Sequence, residues 1–160
     1  MKILVVYYSK TGNTKRLASD IATGLGADLE EIIDKKDRKG AINWILSGRD
    51  AMKKLPTEIG DFKDPQNYDL VVVGTPVWAW TMVPAVRTYL NLTKDNIAKL
   101  VCLVTADSSN TQKVVADIEE VVGKKSVASL GLIAKDLKDT ELYNKKVSDF
   151  IADVKKLEMV

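Results

Sequence analysis

Four runs along the chain are apolar at almost every position: residues 3–8, 70–73, 100–104 and 130–134. Short unbroken runs of valine, isoleucine and leucine are what strands buried on both faces of a parallel sheet require. A fifth run, residues 29–33, is more acidic and suits a sheet edge. Segments with helical spacing separate these runs. Within residues 14–25, Leu17, Ala18, Ile21, Ala22 and Leu25 share one face, and Gly24 and Gly26 close the segment. Residues 84–90 open on Pro84, which suits a first helical turn. Residues 111–122 align Val114, Val115, Ile118, Val121 and Val122, and residues 140–157 align Leu142, Tyr143, Val147, Phe150, Ile151 and Val154.

Strands alternating with helices predict an α/β fold, with right-handed crossovers and a parallel sheet covered on both faces. Ligands of such sheets sit beyond the carboxyl ends of the strands, where the strand order reverses. One connection is unusual. Residues 34–68 are too many for a bare loop, and Ile42, Ile45, Leu46, Met52 and Leu55 predict a helix with Trp44 and Arg49 on or beside its face. Pro56, Gly60 and Pro65 break the rest of the connection. No repeat, low-complexity tract or linker interrupts the pattern, so a single domain over residues 1–160 is expected.

Composition narrows the chemistry by exclusion. A net charge of +2 and the absence of a dense Lys/Arg block with interleaved aromatics argue against nucleic acid as a partner. Lys35-Lys36-Asp37-Arg38-Lys39, the most basic stretch, reads as a solvated loop. The longest uncharged stretch, residues 70–86, is interrupted by Gly74, Pro76 and Pro84, so no membrane span is expected. The N-terminus shows no signal-peptide pattern, which predicts a cytoplasmic protein. The one cysteine, Cys102, lies in an apolar run and reads as a buried structural thiol. Histidine is absent, which removes His-dependent triads and imidazole proton shuttles. A cofactor is the natural carrier of any chemistry.

If the runs form a five-stranded sheet with the first run central, three loops converge at its carboxyl end. The first, Ser9-Lys10-Thr11-Gly12-Asn13-Thr14, passes from a buried strand into a helix. Its side-chain donors and the unpaired first amides of the helix suit a phosphate. It lacks the Gly-x4-Gly-Lys-Ser/Thr of a P-loop. It is no dinucleotide fingerprint either, since Gly24-Leu25-Gly26 comes after the helix and Leu29 stands at the third glycine position. A receiver domain would want acidic residues where Tyr7-Tyr8 stand, and a tyrosine phosphatase would want an arginine where Ser108 stands six residues past Cys102. A hydroxyl-rich cap without a ligand is the plainer reading, but four side-chain donors exceed what capping needs.

The second loop, Gly74-Thr75-Pro76-Val77-Trp78-Ala79-Trp80-Thr81-Met82, brings two indoles to the mouth of the expected cleft, where a flat ligand would cover them. The alternative is that one of them packs beneath the loop against Trp44 or the long insert. The third loop, Thr105-Ala106-Asp107-Ser108-Ser109-Asn110, is polar and suits the edge of a planar heterocycle, although Ser109, Asn110 or Thr111 could equally be a plain helix cap.

These residues together resemble the flavodoxin superfamily. The likeness rests on Thr11-Gly12-Asn13-Thr14 after the first strand, Gly74-Thr75-Pro76 ending the third, and the helix segment Pro84-Ala85-Val86-Arg87-Thr88-Tyr89-Leu90 after it. It implies a three-layer sandwich around a parallel sheet of the five runs in the order 2-1-3-4-5. It also implies FMN, with the phosphate on Ser9, Lys10, Thr11, Gly12, Asn13 and Thr14. The flavin would lie between Thr75, Pro76, Val77, Trp78, Ala79 and Trp80 on one side and Thr105, Ala106, Asp107 and Ser108 on the other. The implied function is electron transfer between redox partner proteins, the alternative an NAD(P)H-dependent FMN or quinone oxidoreductase. Chain length favours the carrier, while near-neutral charge favours the reductase. Related proteins often place a glycine in the second loop, and Val77-Trp78-Ala79-Trp80 has none, so a positive φ there would be costly.

Overall fold

The computed structural model describes residues 1–108 and 110–159. Its strands are β1 (Ile3–Tyr7), β2 (Asp28–Glu31), β3 (Leu70–Trp78), β4 (Thr81–Met82), β5 (Leu100–Ala106) and β6 (Ser126–Ile133). Five of them pair in parallel in the order β2-β1-β3-β5-β6, while β4 folds back antiparallel on the end of β3. With that small hairpin set aside, the parallel strands stand in the expected order, with β1 inside the sheet and the strand order reversing between β1 and β3.

Side chains of a strand alternate between faces, and here both faces are apolar. Leu4 and Val6 join Val71, Val73, Cys102 and Val104 on one side, under α3 (Pro84–Thr93) and α4 (Thr111–Val122). Ile3, Val5 and Tyr7 join Leu70, Val72 and Leu103 on the other, under α1 (Asn13–Leu25) and α6 (Thr140–Lys156). Cys102 is buried, and burial pushes its thiol up to about 12, so it behaves as a small apolar side chain. No helix among the described residues is long and apolar enough to cross a membrane.

The structure departs from the sequence pattern chiefly at the sheet edges and beyond the apolar runs. β6 begins at Ser126 rather than at residue 130, and β2 ends at Glu31, because edge strands tolerate the polar residues that hide them in a hydropathy pattern. Ala134 leaves the strand and opens the short α5 (Ala134–Lys138), where the Asp136 carboxylate accepts from the Ile133 amide at 3.0 Å. β3 runs five residues past residue 73, carrying most of the second loop as strand.

The insert departs furthest. It forms α2 (Ala41–Met52), but the helix buries Ser47, Asp50 and Ala51 and leaves all its large apolar residues except the half-buried Leu46 in water. Ile42 is 75% exposed, Trp44 68%, Ile45 65% and Met52 58%. The cause lies in the basic stretch before it. Arg38 is buried instead of solvated, donating from Nε to Asp34 at 2.9 Å and from Nη1 to Asp50 at 2.8 Å. A buried guanidinium needs carboxylates around it, so α2 turns Asp50 and Ser47 inward to meet it. Lys36 and Arg49 also reach Asp50. Burial pushes the Asp50 carboxyl up, but hydrogen bonds from Lys36, Arg38 and Arg49 outweigh it and hold the group at about 2.

Candidate functional site

Beyond the carboxyl ends of β1, β3 and β5, the three loops and α2 enclose a cavity of about 560 Å³, within the usual range for small-molecule sites. Another concavity, beside Thr57, Phe62 and Leu92, includes no residue of the three loops.

The first loop supplies Lys10, Thr11, Asn13 and Thr14 to the lining. Gly12 is the residue before α1, with φ of 102°, and no side chain caps the helix. That φ favours glycine, and the turn it makes leaves the first-turn amides of α1 open to a ligand. The Ser9 hydroxyl accepts from the Gly12 amide at 3.1 Å, closing the turn; Ser9 and Gly12 shape the loop rather than line the cavity. Gly74 lets α1 settle onto β3. A Cβ there would lie 3.0 Å from the Tyr7 Cβ and 3.4 Å from the Thr14 Cγ2. Thr14 is buried, and its hydroxyl meets that of Thr105 at 2.8 Å, tying the first loop to the third.

The second loop supplies Pro76, Val77, Trp78, Ala79 and Trp80, all on the β3–β4 hairpin. Its turn residues, Ala79 and Trp80, both have positive φ, 47° and 63°. Left-handed backbone costs an ordinary residue roughly 1–2 kcal/mol, so this glycine-free turn is strained. Side chains from behind hold it. Lys113 of α4 donates to the Trp80 carbonyl at 3.2 Å and pairs with Asp117 at 2.9 Å. Asp117 accepts from Thr81 at 3.0 Å, and the Thr81 hydroxyl accepts from the buried Arg87 of α3 at 3.0 Å. Thr75 also serves this support. It is buried behind the cavity wall, its hydroxyl accepting from the Val83 amide at 3.3 Å, and it does not line the cavity.

Trp78 is fixed as a wall. Tyr8 meets it edge-on at 5.5 Å, while Lys10 Nζ and Arg38 Cζ stand 5.5 Å and 5.8 Å from its ring centroid. Burial, with Asp34 nearby, pushes the Tyr8 phenol up to about 12 against the opposing pull of Arg38, so it stays protonated. Trp80, in the turn beside it, lines the cavity and is largely exposed.

Thr105, Ala106 and Asp107 of the third loop line the cavity, and Ser108 is exposed outside it. Ser109 lies outside the described residues. Asn110 is the residue that opens α4, at φ 93° and with no side-chain cap bond. The fourth wall, beyond the three loops singled out from the sequence, is Trp44, Ile45, Ser47 and Gly48 of α2. The sign of it was an apolar helix carrying a tryptophan in an otherwise unexplained insert. Among the described residues no cluster of His, Cys, Asp or Glu could hold a metal ion.

A family model described as Flavodoxin matches residues 2–149. The chain belongs to the flavodoxin family. Among solved structures, a flavodoxin-fold neighbour is the Lactobacillus acidophilus flavoprotein in complex with FMN, at 23% identity and a TM-score of 0.71, covering 88% of this chain and 98% of that one. A flavodoxin from the domain Archaea is 17% identical with a TM-score of 0.58, covering 97% and 99%. An Archaeoglobus fulgidus protein named NAD(P)H dehydrogenase (quinone) is 27% identical over 97 residues, 58% of this chain and 51% of that relative. This chain therefore spans about half the length of the curated relative it matches.

Proposed function

We propose that the cavity binds FMN and that the protein passes electrons between redox partners. The observation that carries this reading is the pairing, within one cavity of about 560 Å³, of an uncapped helix N-terminus with a Trp78–Trp80 wall. An uncapped α1 offers amides, and Thr11, Asn13 and Thr14 add side-chain donors, for a phosphate. Thr105 and Asp107 offer polar contacts on the opposite side. Trp78, braced by Tyr8, offers a fixed flat surface, and Trp44 and Ile45 shut out water on the α2 side. Bound FMN supplies reversible one- and two-electron transfer, which the chain lacks by itself.

The residues also bear on the potential. Asp107 disfavours added negative charge in the cavity, while Lys10 and Arg38 beside Trp78 favour it. Asp107→Asn is expected to raise the reduction potential, and an unchanged potential would remove Asp107 from the flavin's surroundings.

The name of the Archaeoglobus relative favours a second reading, an NAD(P)H-dependent quinone reductase. One preparation tests both. Apoprotein titrated with FMN should lose tryptophan fluorescence at one equivalent, and failure to take up FMN ends both readings. Stepwise dithionite reduction and an NADPH-plus-quinone assay then separate them. Two resolved reduction steps with negligible turnover support the carrier; rapid turnover supports the reductase.

A further inference from the structure

Residues 34–55 carry seven of the chain's 24 Lys and Arg but only three of its 22 Asp and Glu. Two of those three, Asp34 and Asp50, are turned inward onto Arg38, which leaves the outer surface basic. Lys39, Lys53 and Lys54 are exposed and make no ion pair among the described residues. Between them Ile42, Ile45, Arg49 and Met52 fall on one stripe of α2, the stripe that faces water. Ile42 and Met52, which stand outside the cavity, are exposed apolar side chains on this stripe, the kind of surface that marks an interaction site. The patch is continuous with the cavity, since Trp44, Ile45 and Gly48 form part of its lining.

We propose that this face of α2 docks a small acidic redox protein that exchanges electrons with FMN in the adjoining cavity. The inference rests on the FMN electron-transfer reading above. Carboxylates of the partner meet Lys39, Lys53, Lys54 and Arg49, and an apolar spot meets Ile42, Ile45 and Met52. Patch and rim match the small interface of a transient electron-transfer encounter, below about 1,200 Å² in total. The same residues argue against other occupants. A second copy related by a twofold axis would bring identical lysines face to face. A lipid bilayer would accept the basic rim, but Arg49 in the middle of the apolar stripe would have to enter hydrocarbon, where a protein carboxylate would satisfy it. The transfer balances simply: reduced flavin loses one electron and the partner's iron(III) becomes iron(II).

The test mixes the FMN-loaded, dithionite-reduced protein with oxidised rubredoxin, a small acidic iron protein, in a stopped-flow cell. Basic cytochrome c and a small neutral quinone serve as controls. Electrostatic steering should slow the rubredoxin reaction about tenfold or more between low and high salt, with cytochrome c showing no such fall. The double variant Lys53→Glu, Lys54→Glu should lose most of the rubredoxin rate at low salt, and Met52→Ser part of it, with FMN affinity and the quinone rate unchanged. Equal rubredoxin rates in wild type and variants overturn the docking surface. So does binding to phosphatidylglycerol vesicles that the double variant abolishes, or a dimer that Met52→Ser dissolves. If the protein takes up no FMN, or if reduced protein leaves even the small quinone untouched, the underlying functional reading fails and takes the docking proposal with it.

Discussion

α1 and α2 are helices of nearly equal length, 13 and 12 residues, and they present opposite faces to the protein. α1 buries Leu17, Ala18, Ile21 and Ala22 against the sheet. α2 buries Ser47 and Asp50 against Arg38 and holds Ile42, Ile45 and Met52 out in water. The contrast teaches that a helix buries whatever its neighbours leave unsatisfied. The sheet under α1 presents bare apolar surface, which only apolar side chains improve. The segment under α2 presents a buried guanidinium, which only oxygen acceptors improve. Both helices flank the cavity, one through its amides and the other through its side chains, so the difference reaches the site.

The contrast can be broken most forcefully from the α1 side. Leu17→Ala should cost about 4 kcal/mol, because a fully buried side chain leaves a cavity the core cannot refill. Urea unfolding should show the loss as a lower midpoint, with amide protection reduced throughout the sheet. Asp50→Asn comes next, at about 3 kcal/mol, since it leaves the buried Arg38 with Asp34 as its one carboxylate partner. Hydrogen exchange should place that loss chiefly in residues 34–55. A cost near zero would mean that the polar face does not hold α2.

Acid sharpens the same point. The Asp50 carboxyl titrates at about 2 in the folded protein, below an unfolded value of about 3.9. Its contribution is therefore complete above about pH 4 and is lost as pH falls toward about 2. Amides of α2 should lose protection across that window before those of α1 do, and simultaneous loss would contradict the separate anchoring. The smallest effect is expected on the outer face. Met52→Ser should change stability by less than about 0.5 kcal/mol, because the side chain is already in water. A chemical melt showing a cost of about 2 kcal/mol or more would place Met52 in a core rather than on a surface.

Much of this was legible in the chain. The central strands announce themselves because both their faces are buried, so residues 3–8 and 100–104 need no alternation. The turn into α1 was legible because Gly12 and its hydroxyl-bearing neighbours sit where a strand becomes a helix. The edges were not: Ser126 and Ser129 lie in β6 because pairing with β5, not hydropathy, makes them strand. The place of Thr75 in Gly74-Thr75-Pro76 suggests a ligand contact, yet its hydroxyl points back to Val83, a bond between positions eight apart that no local pattern reveals. Ala79 and Trp80 carry positive φ against their own preference because Lys113, from another helix, holds the carbonyl between them and β4.

Local rules by themselves therefore determined the order of strands and helices, the apolar interior, and the glycine turn that enters α1, because each comes from the periodicity or chemistry of neighbouring residues. Tertiary structure alone decided which face of α2 is inside. Its apolar spacing predicts a helix without saying which face turns inward, and in the structure Ile42, Ile45 and Met52 face water. One arginine, nine residues before Ser47 and twelve before Asp50, outranks them in energetic importance. An unpaired cation in the interior costs more than a few apolar side chains lose in water, and that inequality turned the helix over.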